Sequence, residues 1–576
     1  MGFKEFPRPL NIENGGWKRM DFYPRKAQYL TGEEVWLCLE AADVCEARRY
    51  DRVVLVVYWL EAKIRTVEID RLQQTTEICA GSYDSFFAGY GVRAVLYGKE
   101  KPLILETAFD VCRKPEYSLR YGFVSDFAKK DMVNGAMEQL RKYHINMVQF
   151  YDWSYRHDNL VVEQDDYEDM MGKKIHRDTV REKIVQAKRY GMKPIAYGAV
   201  YAASKEFYEQ HRDWAFYNGN GDVFCFIDRF YIMNIQKGSP WRSHLAAQYQ
   251  NALEKMGFAG IHMDTYGFPK TAFSRLEGRF ERVALQKEFG SLIDEVSAAL
   301  TETGQEPFLV FNNVGNWPVS ETACHNVKAV YIEVWPPYER YFHIKQLILE
   351  ARRLVQDRKP VILAAYLEPF RKEDGLLAAY AARILMAVIV SNGAYHLLLG
   401  ENNAVLTQGY YGDYSLMGEE TAAVMRRYYD FMLRYLNLFY DPEMTDVTMT
   451  HMGWDNYEYQ CGAEAGTACW SAYGESGKLW ITIRESTGCK LLIFINLCGC
   501  SEDYWNKGKE KPPIQKDILC TVAVDGDIEG IYCASPDLPD STSQELPYES
   551  VTNEKGKFVR FTLPEVEVWA IVYLRC

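Results

Sequence analysis

The feature that most constrains this chain is a pattern between residues 121 and 436, where short apolar segments alternate with amphipathic segments of helical period. The alternation occurs eight times in about 320 residues, which is typical of a (β/α)8 TIM barrel. The predicted strands are 121–127, 145–153, 193–201, 258–266, 307–314, 329–335, 360–367 and 394–400. A doubly wound open sheet is the rival fold, but it usually has a glycine-rich first turn, whereas the first turn here is Asp126-Phe127-Ala128-Lys129. The sequence therefore favours a closed barrel.

The segments on either side of this repeat consist of short strand-like runs separated by turn residues. Residues 1–115 favour an immunoglobulin-like β-sandwich, as in the alternating run Glu34–Glu40. Strand-like runs return from about residue 444, so a second β-sandwich is expected at the C-terminus, with Lys507–Pro513 as a solvated loop. The predicted domains are an N-terminal sandwich at 1–115, a catalytic barrel at 116–443 and a C-terminal sandwich at 444–576.

The net charge and the distribution of apolar residues exclude some classes of binding partner. Lysine and arginine number 66 against 79 aspartates and glutamates, for a net charge of −13. This argues against nucleic acid or a membrane as the main partner, because both recruit dense positive charge. The longest apolar stretch, Ala379–Leu399, is interrupted by Arg383 and breaks at Gly393, which predicts a buried helix followed by a strand.

Compartment and oligomeric state are less constrained by the sequence. The start lacks the apolar run of a secretory signal, and the 14 cysteines show no CxxC spacing. A cytoplasmic enzyme with reduced thiols is therefore expected, and a secreted protein is the alternative if a signal was removed. The oligomeric state stays open.

Two acids stand out at predicted strand ends, where catalytic groups lie in a barrel of this kind. Asp264 lies near the end of the fourth predicted strand and Glu333 near the end of the sixth, each after an apolar run in which an uncompensated charge would be costly. One strand separates them, so their ends should face each other across part of the barrel mouth. Such a pair suits retaining glycoside chemistry, with one acid as nucleophile and one as general acid/base, when the carboxyl groups are roughly 5–5.5 Å apart. The plainer alternative is that both acids pair with arginine or lysine at the rim.

Aromatic residues accompany these acids at the strand ends. Aromatic faces pack against the C–H faces of sugar rings, and polar side chains bind the hydroxyl groups, so the pattern suits a sugar ligand. The alternative is that part of the aromatic set belongs to the core. The predicted substrate-binding residues are Tyr151, Asp152, Trp153, His157, Tyr197, His262, Tyr266, Asn312, Asn313, Trp335, Glu368 and Glu401.

Motifs for other chemistries are missing from the sequence. It has no GxxxxGK[ST] phosphate loop, no HExxH and no GxSxG elbow. Three of the ten histidines, His157, His262 and His396, fall near predicted strand ends, but their spacing is not diagnostic of a metal site. Neither a metal nor another cofactor is therefore expected.

Three segments resemble glycoside hydrolase family 66, the dextranases and cycloisomaltooligosaccharide glucanotransferases. They are VQFYDWSYRHD at 148–158, GFAGIHMDTYG at 257–267 and YIEVW at 331–335. The resemblance implies that Asp264 is the nucleophile and Glu333 the general acid/base. It also implies that the segment around Tyr151, Asp152, Trp153 and His157 binds glucose beside the cleavage point, and that the substrate is an α-1,6-linked glucan cleaved with retention.

The length between the seventh and eighth strands separates the two branches of that family. Its glucanotransferases resemble this chain less, because they carry an extra carbohydrate-binding domain late in the barrel. Here the seventh to the eighth strand spans only about 35 residues, enough for one helix. The main prediction is therefore a retaining, endo-acting hydrolase of α-1,6 bonds in dextran or isomaltooligosaccharides. Two alternatives stay open: a transglycosylase forming cyclic or linear isomaltooligosaccharides, and a non-catalytic glucan-binding protein.

Overall fold

Eight parallel strands, β1 to β8 in chain order, form one sheet in the computed structural model, which describes residues 20–302, 304, 306–453, 455–462 and 469–576. The strands are Tyr121–Val124, Met147–Phe150, Lys193–Ala199, Gly260–Asp264, Phe308–Val314, Ala329–Glu333, Val361–Ala364 and Tyr395–His396. Each strand pairs with the next in sequence, and a parallel bridge between Phe123 and Gly400 joins β1 to the chain after β8. The sheet therefore closes into the predicted TIM barrel.

A helix follows each strand. These helices, α1 to α8, are Ala136–Lys142, Arg177–Arg189, Pro240–Asn251, Gln286–Thr301, Val319–Thr322, Tyr341–Val355, Gly375–Ser391 and Glu419–Arg434. Local chemistry explains where they begin. The Asp374 carboxylate accepts a hydrogen bond from the Leu376 N–H at 2.8 Å and so caps α7, and Ser239 caps α3 with Pro240 in its first turn.

The longest apolar stretch forms α7, as predicted. Its side chains from Tyr380 to Ser391 are all buried, because this helix packs on neighbouring elements around most of its circumference. In the described part of the chain, no helix combines the length and the apolar character needed to cross a membrane.

Short hairpins and single-turn elements extend the loops between strands and helices. The extra strands are Asp166–Glu168 with Lys174–His176, Ala202–Ala203 with Cys225–Phe226 and Phe230–Ile232, Phe216–Tyr217 with Thr271–Ser274 and Glu281–Ala284, and Ala404–Val405 with Ser415–Leu416. The extra helices include Lys205–Gln210 and Pro369–Lys372.

The N-terminal part is a β-sandwich, as predicted. One sheet contains Met20–Pro24, Glu34–Ala41 and Thr75–Ser82, and the other contains Tyr29–Leu30, Leu103–Cys112, Phe87–Gly98, Tyr50–Trp59 and Ala62–Asp70. Inward side chains of both sheets share one core, which includes Leu37, Leu55 and Val92. Alternation of buried and exposed positions along each strand places these residues on the inner faces.

The C-terminal part is also built from two sheets. One contains Thr445–Asp446, Trp470–Ser471, Leu479–Ser486, Cys489–Asn496, Trp569–Arg575, Gly530–Ala534 and Gln544–Glu545, and the other contains Tyr459–Gly462, Gln515–Ala523, Gly556–Val566 and Tyr548–Asn553. Their common core includes Ile481, Phe494, Phe561 and Val572. The expected second sandwich is therefore present.

The described residues fall into two compact units. One takes in the described chain up to Arg113 together with Ala423–Glu502 and Lys511–Cys576, and the other consists of Lys114–Ala422 and Asp503–Glu510. The predicted division into 1–115, 116–443 and 444–576 follows the order of the chain, whereas the compact units join its first and last parts. A short late segment, Asp503–Glu510, belongs with the barrel.

Candidate active site

Asp264 and Glu333 are the last residues of β4 and β6, with β5 between them. The parallel register pairs Glu333 with Val314 at the end of β5, so the strand ends lie at the same rim of the barrel. Asp264 is 9% exposed and Glu333 is 8% exposed, and both line one cleft. The barrel therefore brings together the two acids that the sequence singled out.

A single amide on β5 contacts both acids. Asn312 Nδ2 donates to Asp264 Oδ1 at 2.7 Å and to Glu333 Oε2 at 3.0 Å. Because one nitrogen donates to both, the two acceptor oxygens lie no further apart than the sum of those distances, about 5.7 Å. Asn312 thus fixes the spacing of the two carboxylates.

A tyrosine hydroxyl holds the second oxygen of each acid. Tyr197 donates to Asp264 Oδ2 at 2.7 Å, and Tyr366 donates to Glu333 Oε1 at 2.6 Å. Each carboxylate oxygen accordingly accepts one of these hydrogen bonds. These donors are neutral hydroxyl and amide groups, in contrast to the arginine or lysine partners of the rim-pairing alternative.

Burial raises the pKa values of both acids, and repulsion from Glu333 adds to the rise at Asp264. Burial first, and the Glu333 carboxylate second, raise the pKa of Asp264 to about 7. Burial also raises the pKa of Glu333, while the hydrogen bonds from Tyr366 and Asn312 oppose that rise. Two like charges at this separation disfavour double ionisation, so the pair holds one proton up to near neutrality.

The cleft around the acids has a volume of about 650 Å³, within the range of small-molecule sites. It combines aromatic walls with polar groups that converge on the two acids. The predicted residues that line it are Tyr151, Asp152, His157, Tyr197, His262, Asp264, Tyr266, Asn312, Glu333, Trp335 and Glu368. The structure thus places eleven of the fourteen predicted site residues around one cavity.

Trp153 and Asn313 do not line this cleft. Trp153 is fully buried, and its Nε1 donates to the Tyr197 carbonyl oxygen at 3.2 Å. Asn313 donates to the Tyr331 carbonyl oxygen and accepts from the Thr322 hydroxyl. Successive strand side chains point to opposite faces, so Asn313 lies away from the cleft because Asn312 faces it. Both side chains therefore make hydrogen bonds within the barrel and lie outside the lining of the cleft.

Glu401 is the third predicted site residue that does not line the cleft. It is fully buried in an ion pair with the Lys183 ammonium. Its Oε1 also accepts from the backbone N–H groups of Ser125 and Asp126, at 3.0 and 2.9 Å. This carboxylate therefore holds the chain after β1 and lies outside the lining of the cleft.

Charge on the remaining polar residues is limited by burial. Burial lowers the pKa of His157 to about 4 and that of His262 to about 3, so both imidazoles are neutral hydrogen-bonding groups at pH 7. Burial, with the nearby Asp169 and Asp264 carboxylates, raises the pKa of Asp152 well above its usual range. Within the described ranges, no group of three or more His, Cys, Asp or Glu side chains is placed to hold a metal ion.

Two loop segments that the sequence did not single out also line the cleft. Phe226 and Ile227 lie on the hairpin before α3, and the Phe226 ring stacks on Tyr266 at 4.7 Å. Tyr411, after β8, stacks on Tyr151 at 4.4 Å. The only sequence signal was a local excess of aromatic residues in both loops, which does not distinguish a cleft wall from a core contact.

The barrel carries two buried acids at its rim, bridged by the Asn312 amide, within a cleft of aromatic and polar residues. This combination is typical of the glycoside hydrolase class. The family model for glycosyl hydrolase family 66 matches residues 24–573. This chain therefore belongs to glycoside hydrolase family 66.

Comparison with known members of the family shows low sequence identity. A cycloisomaltooligosaccharide glucanotransferase of Niallia circulans is 22% identical, with 99% of this chain and 73% of the relative covered. A dextranase of Streptococcus salivarius is 22% identical over 58% of this chain and 46% of the relative. A crystal structure of a Paenibacillus sp. cycloisomaltooligosaccharide glucanotransferase complexed with cycloisomaltoheptaose matches with a TM-score of 0.85 at 20% identity, covering 96% of this chain and 99% of the other. That likeness shows that the fold is shared.

Proposed function

We propose that this chain is a retaining, endo-acting glycoside hydrolase that cleaves α-1,6-glucosidic bonds in dextran or isomaltooligosaccharides. The observation that carries the proposal is the shared Asn312 amide, which keeps oxygens of Asp264 and Glu333 within about 5.7 Å. The limit applies to one oxygen of each acid; for that pair it is compatible with the roughly 5–5.5 Å between carboxyl groups in retaining enzymes and lies below the roughly 6.5–9.5 Å of inverting enzymes.

The first displacement forms a covalent glucosyl-enzyme. The ionised Asp264 attacks the anomeric carbon while Glu333 gives its proton to the glycosidic oxygen, so the C1–O bond breaks as the C1–Oδ bond forms. Tyr197 and Asn312 orient the nucleophile through the hydrogen bonds at 2.7 Å. Of the two ways to place the single proton on the pair, this step uses the one with the proton on Glu333.

The second displacement releases the sugar with its original anomeric configuration. Glu333, now a carboxylate, takes a proton from water, and the water oxygen attacks the anomeric carbon as the bond to Asp264 breaks. The Tyr366 hydroxyl, at 2.6 Å from Glu333 Oε1, stabilises this carboxylate between the two steps. The pair returns to its starting protonation state.

Transfer to a sugar is the second candidate. The matches to glucanotransferases over 96–99% of this chain favour it, because a sugar hydroxyl can replace water in the second displacement. The dextranase match and the short β7–β8 connection, which contains α7 and Pro369–Lys372, support hydrolysis as the main outcome.

A product time course on dextran and on isomaltooligosaccharides of defined length tests the proposal. We expect shorter isomaltooligosaccharides whose first-formed anomer, followed by NMR, is α. Asp264→Asn should abolish nearly all turnover, whereas the exposed matched variant Asp178→Asn should behave as wild type. A β-anomer as the first product, or substantial activity in Asp264→Asn, would overturn the assignment.

A further inference from the structure

A late segment of the chain is built into the barrel unit. Asp503–Glu510 belongs to that unit. The prediction of a solvated loop at Lys507–Pro513 is wrong in part, because Lys509 and Pro512 are buried. Lys509 is only 2% exposed, and its Nζ donates to the carbonyl oxygens of Tyr504 and Lys507, at 2.7 and 3.3 Å. These hydrogen bonds from the ammonium group hold the backbone of the segment in a turn.

Hydrogen bonds attach this segment to the loops after β6 and β7. Trp505 is buried, and its Nε1 donates to the Tyr338 carbonyl oxygen at 2.7 Å, while its backbone N–H donates to the Glu339 carbonyl oxygen at 3.0 Å. Asn506 Oδ1 accepts from the Glu368 backbone N–H at 2.9 Å. The segment is therefore anchored at the rim that carries the catalytic acids.

A second cavity, of about 310 Å³, lies between this segment and those loops. It shares Trp335, Tyr366, Glu368 and Gln408 with the catalytic cleft, so the two spaces adjoin. The late segment supplies a wall that includes the half-buried ring of Tyr504. We call this space the side cavity.

The side cavity lies on the Glu333 side of the catalytic pair. Its lining includes the two residues that follow Glu333, Val334 and Trp335, but neither Thr265 nor Tyr266, which follow Asp264 and line the main cleft. Glu333 acts on the glycosidic oxygen of the leaving sugar in the proposed mechanism. In that mechanism the leaving portion of the glucan is therefore bound on the side of the catalytic pair where the side cavity lies.

We infer that the side cavity is a glucosyl-binding subsite for the leaving portion of an isomaltooligosaccharide, and for the incoming chain when a sugar hydroxyl replaces water. The inference rests on the proposed function and adds a location to it. In the transfer step a sugar O6 attacks C1 of the glucosyl-enzyme, the C1–Asp264 bond breaks, and the hydroxyl proton passes to Glu333.

The chemistry of the walls suits a glucose unit. Trp335 is 39% exposed, so its indole offers a face to a pyranose ring, and Tyr338 and Tyr504 add aromatic surface. Carboxylates of Glu339 and Glu368 accept hydrogen bonds from hydroxyl groups. Apolar faces with a few convergent polar groups are the general composition of a small-molecule site.

A donor with a minimal leaving group separates this subsite from the catalytic step. Isomaltosyl fluoride loses fluoride, which is too small to reach the side cavity, so fluoride release reports only the main cleft. Isomaltotriose added as acceptor then reports the side cavity through the concentration that gives half-maximal transfer. We expect Tyr504→Ala to leave fluoride release unchanged and to raise that concentration about tenfold, and Tyr504→Phe to resemble wild type.

The matched control is Tyr208→Ala. Tyr208 is half-buried with the Arg212 guanidinium 5.9 Å from its ring centre, as Arg340 lies 4.8 Å from the ring centre of Tyr504, and it lines neither the main cleft nor the side cavity. This variant should leave both readouts unchanged. If Tyr504→Ala does not fold, Glu339→Ala at an exposed position of the side cavity carries the test, with the same direction of change.

The outcomes distinguish the two proposals. Normal fluoride release with an unaltered acceptor requirement in Tyr504→Ala and Glu339→Ala would overturn the subsite and leave the proposed function standing. A wild-type protein that neither releases fluoride nor cleaves isomaltooligosaccharides would overturn the proposed function, and the subsite with it. A selective rise in the acceptor requirement supports both.

Discussion

Replacing Glu333 by glutamine removes the charge that repels the carboxylate of Asp264, and we expect the pKa of Asp264 to fall by about two units. In the wild type, burial and Glu333 raise that pKa to about 7. At the upper limit of about 5.7 Å between the two bridged oxygens, Coulomb's law with an effective dielectric constant of about 20 gives roughly 3 kcal/mol, or about two pKa units. A neighbouring negative charge raises the pKa of an acid, so its removal lowers it.

The pH dependence of kcat/KM on isomaltosyl fluoride measures this shift. Fluoride leaves without a proton, so the reaction needs only an ionised Asp264, and its rate falls as the pH drops below the pKa of that group. In Glu333→Gln the acid limb should lie near pH 5, about two units below 7. On dextran, whose leaving oxygen needs a proton, the same variant should lose roughly 10²- to 10⁴-fold in rate.

The wild type and a surface variant provide the comparison. Wild-type kcat/KM on dextran should decline above about pH 7, as the last proton leaves the pair. Glu321→Gln, at an exposed position of the same unit, should reproduce that profile. An acid limb of Glu333→Gln on isomaltosyl fluoride that remains near pH 7 would refute the electrostatic argument, and full activity of this variant on dextran would remove Glu333 from the mechanism.

Two further substitutions test the support of the site. Asn312→Ala removes the amide shared by both acids, and we expect kcat to fall about 10²-fold with an unchanged circular dichroism spectrum; a change below about threefold would show that the acids are positioned without it. Lys183→Met leaves the buried Glu401 carboxylate without its ammonium partner, and we expect a loss of about 3–5 kcal/mol in the free energy of unfolding, measured with urea. Adding Glu401→Gln to Lys183→Met should restore much of that stability, and no recovery would argue against an unpaired charge as the cause.

The barrel and its catalytic acids were predictable because both depend on local patterns. Parallel strands covered on both faces appear as apolar runs, and polar residues at their carboxyl ends mark the rim. Asp264 and Glu333 end such runs, and the structure brings them together. Asn312 and Asn313 show where this reasoning stops, since only one of two adjacent strand residues can face the cleft, and their order in the sequence does not say which one.

The remaining parts of the site depend on contacts between distant positions. Asn506 and Glu368 are 138 residues apart in sequence, and no sequence pattern near Asn506 predicts their hydrogen bond. Glu401 lay at a predicted strand end, like the catalytic acids, yet Lys183 on α2 makes it a buried structural ion pair. A strand-end carboxylate therefore acquires its role from the side chain that meets it.

The position of Asp503–Glu510 in the chain has a consequence for biosynthesis. Translation proceeds from the N-terminus, so residues 114–422, with all eight strands and both acids, leave the ribosome before the segment that walls the side cavity. A nascent chain that has reached residue 443 already contains both catalytic acids, whereas Tyr504, Trp505 and Asn506 have not yet been synthesised. The part of the barrel rim that depends on these residues is thus completed only after the rest of the barrel has been synthesised.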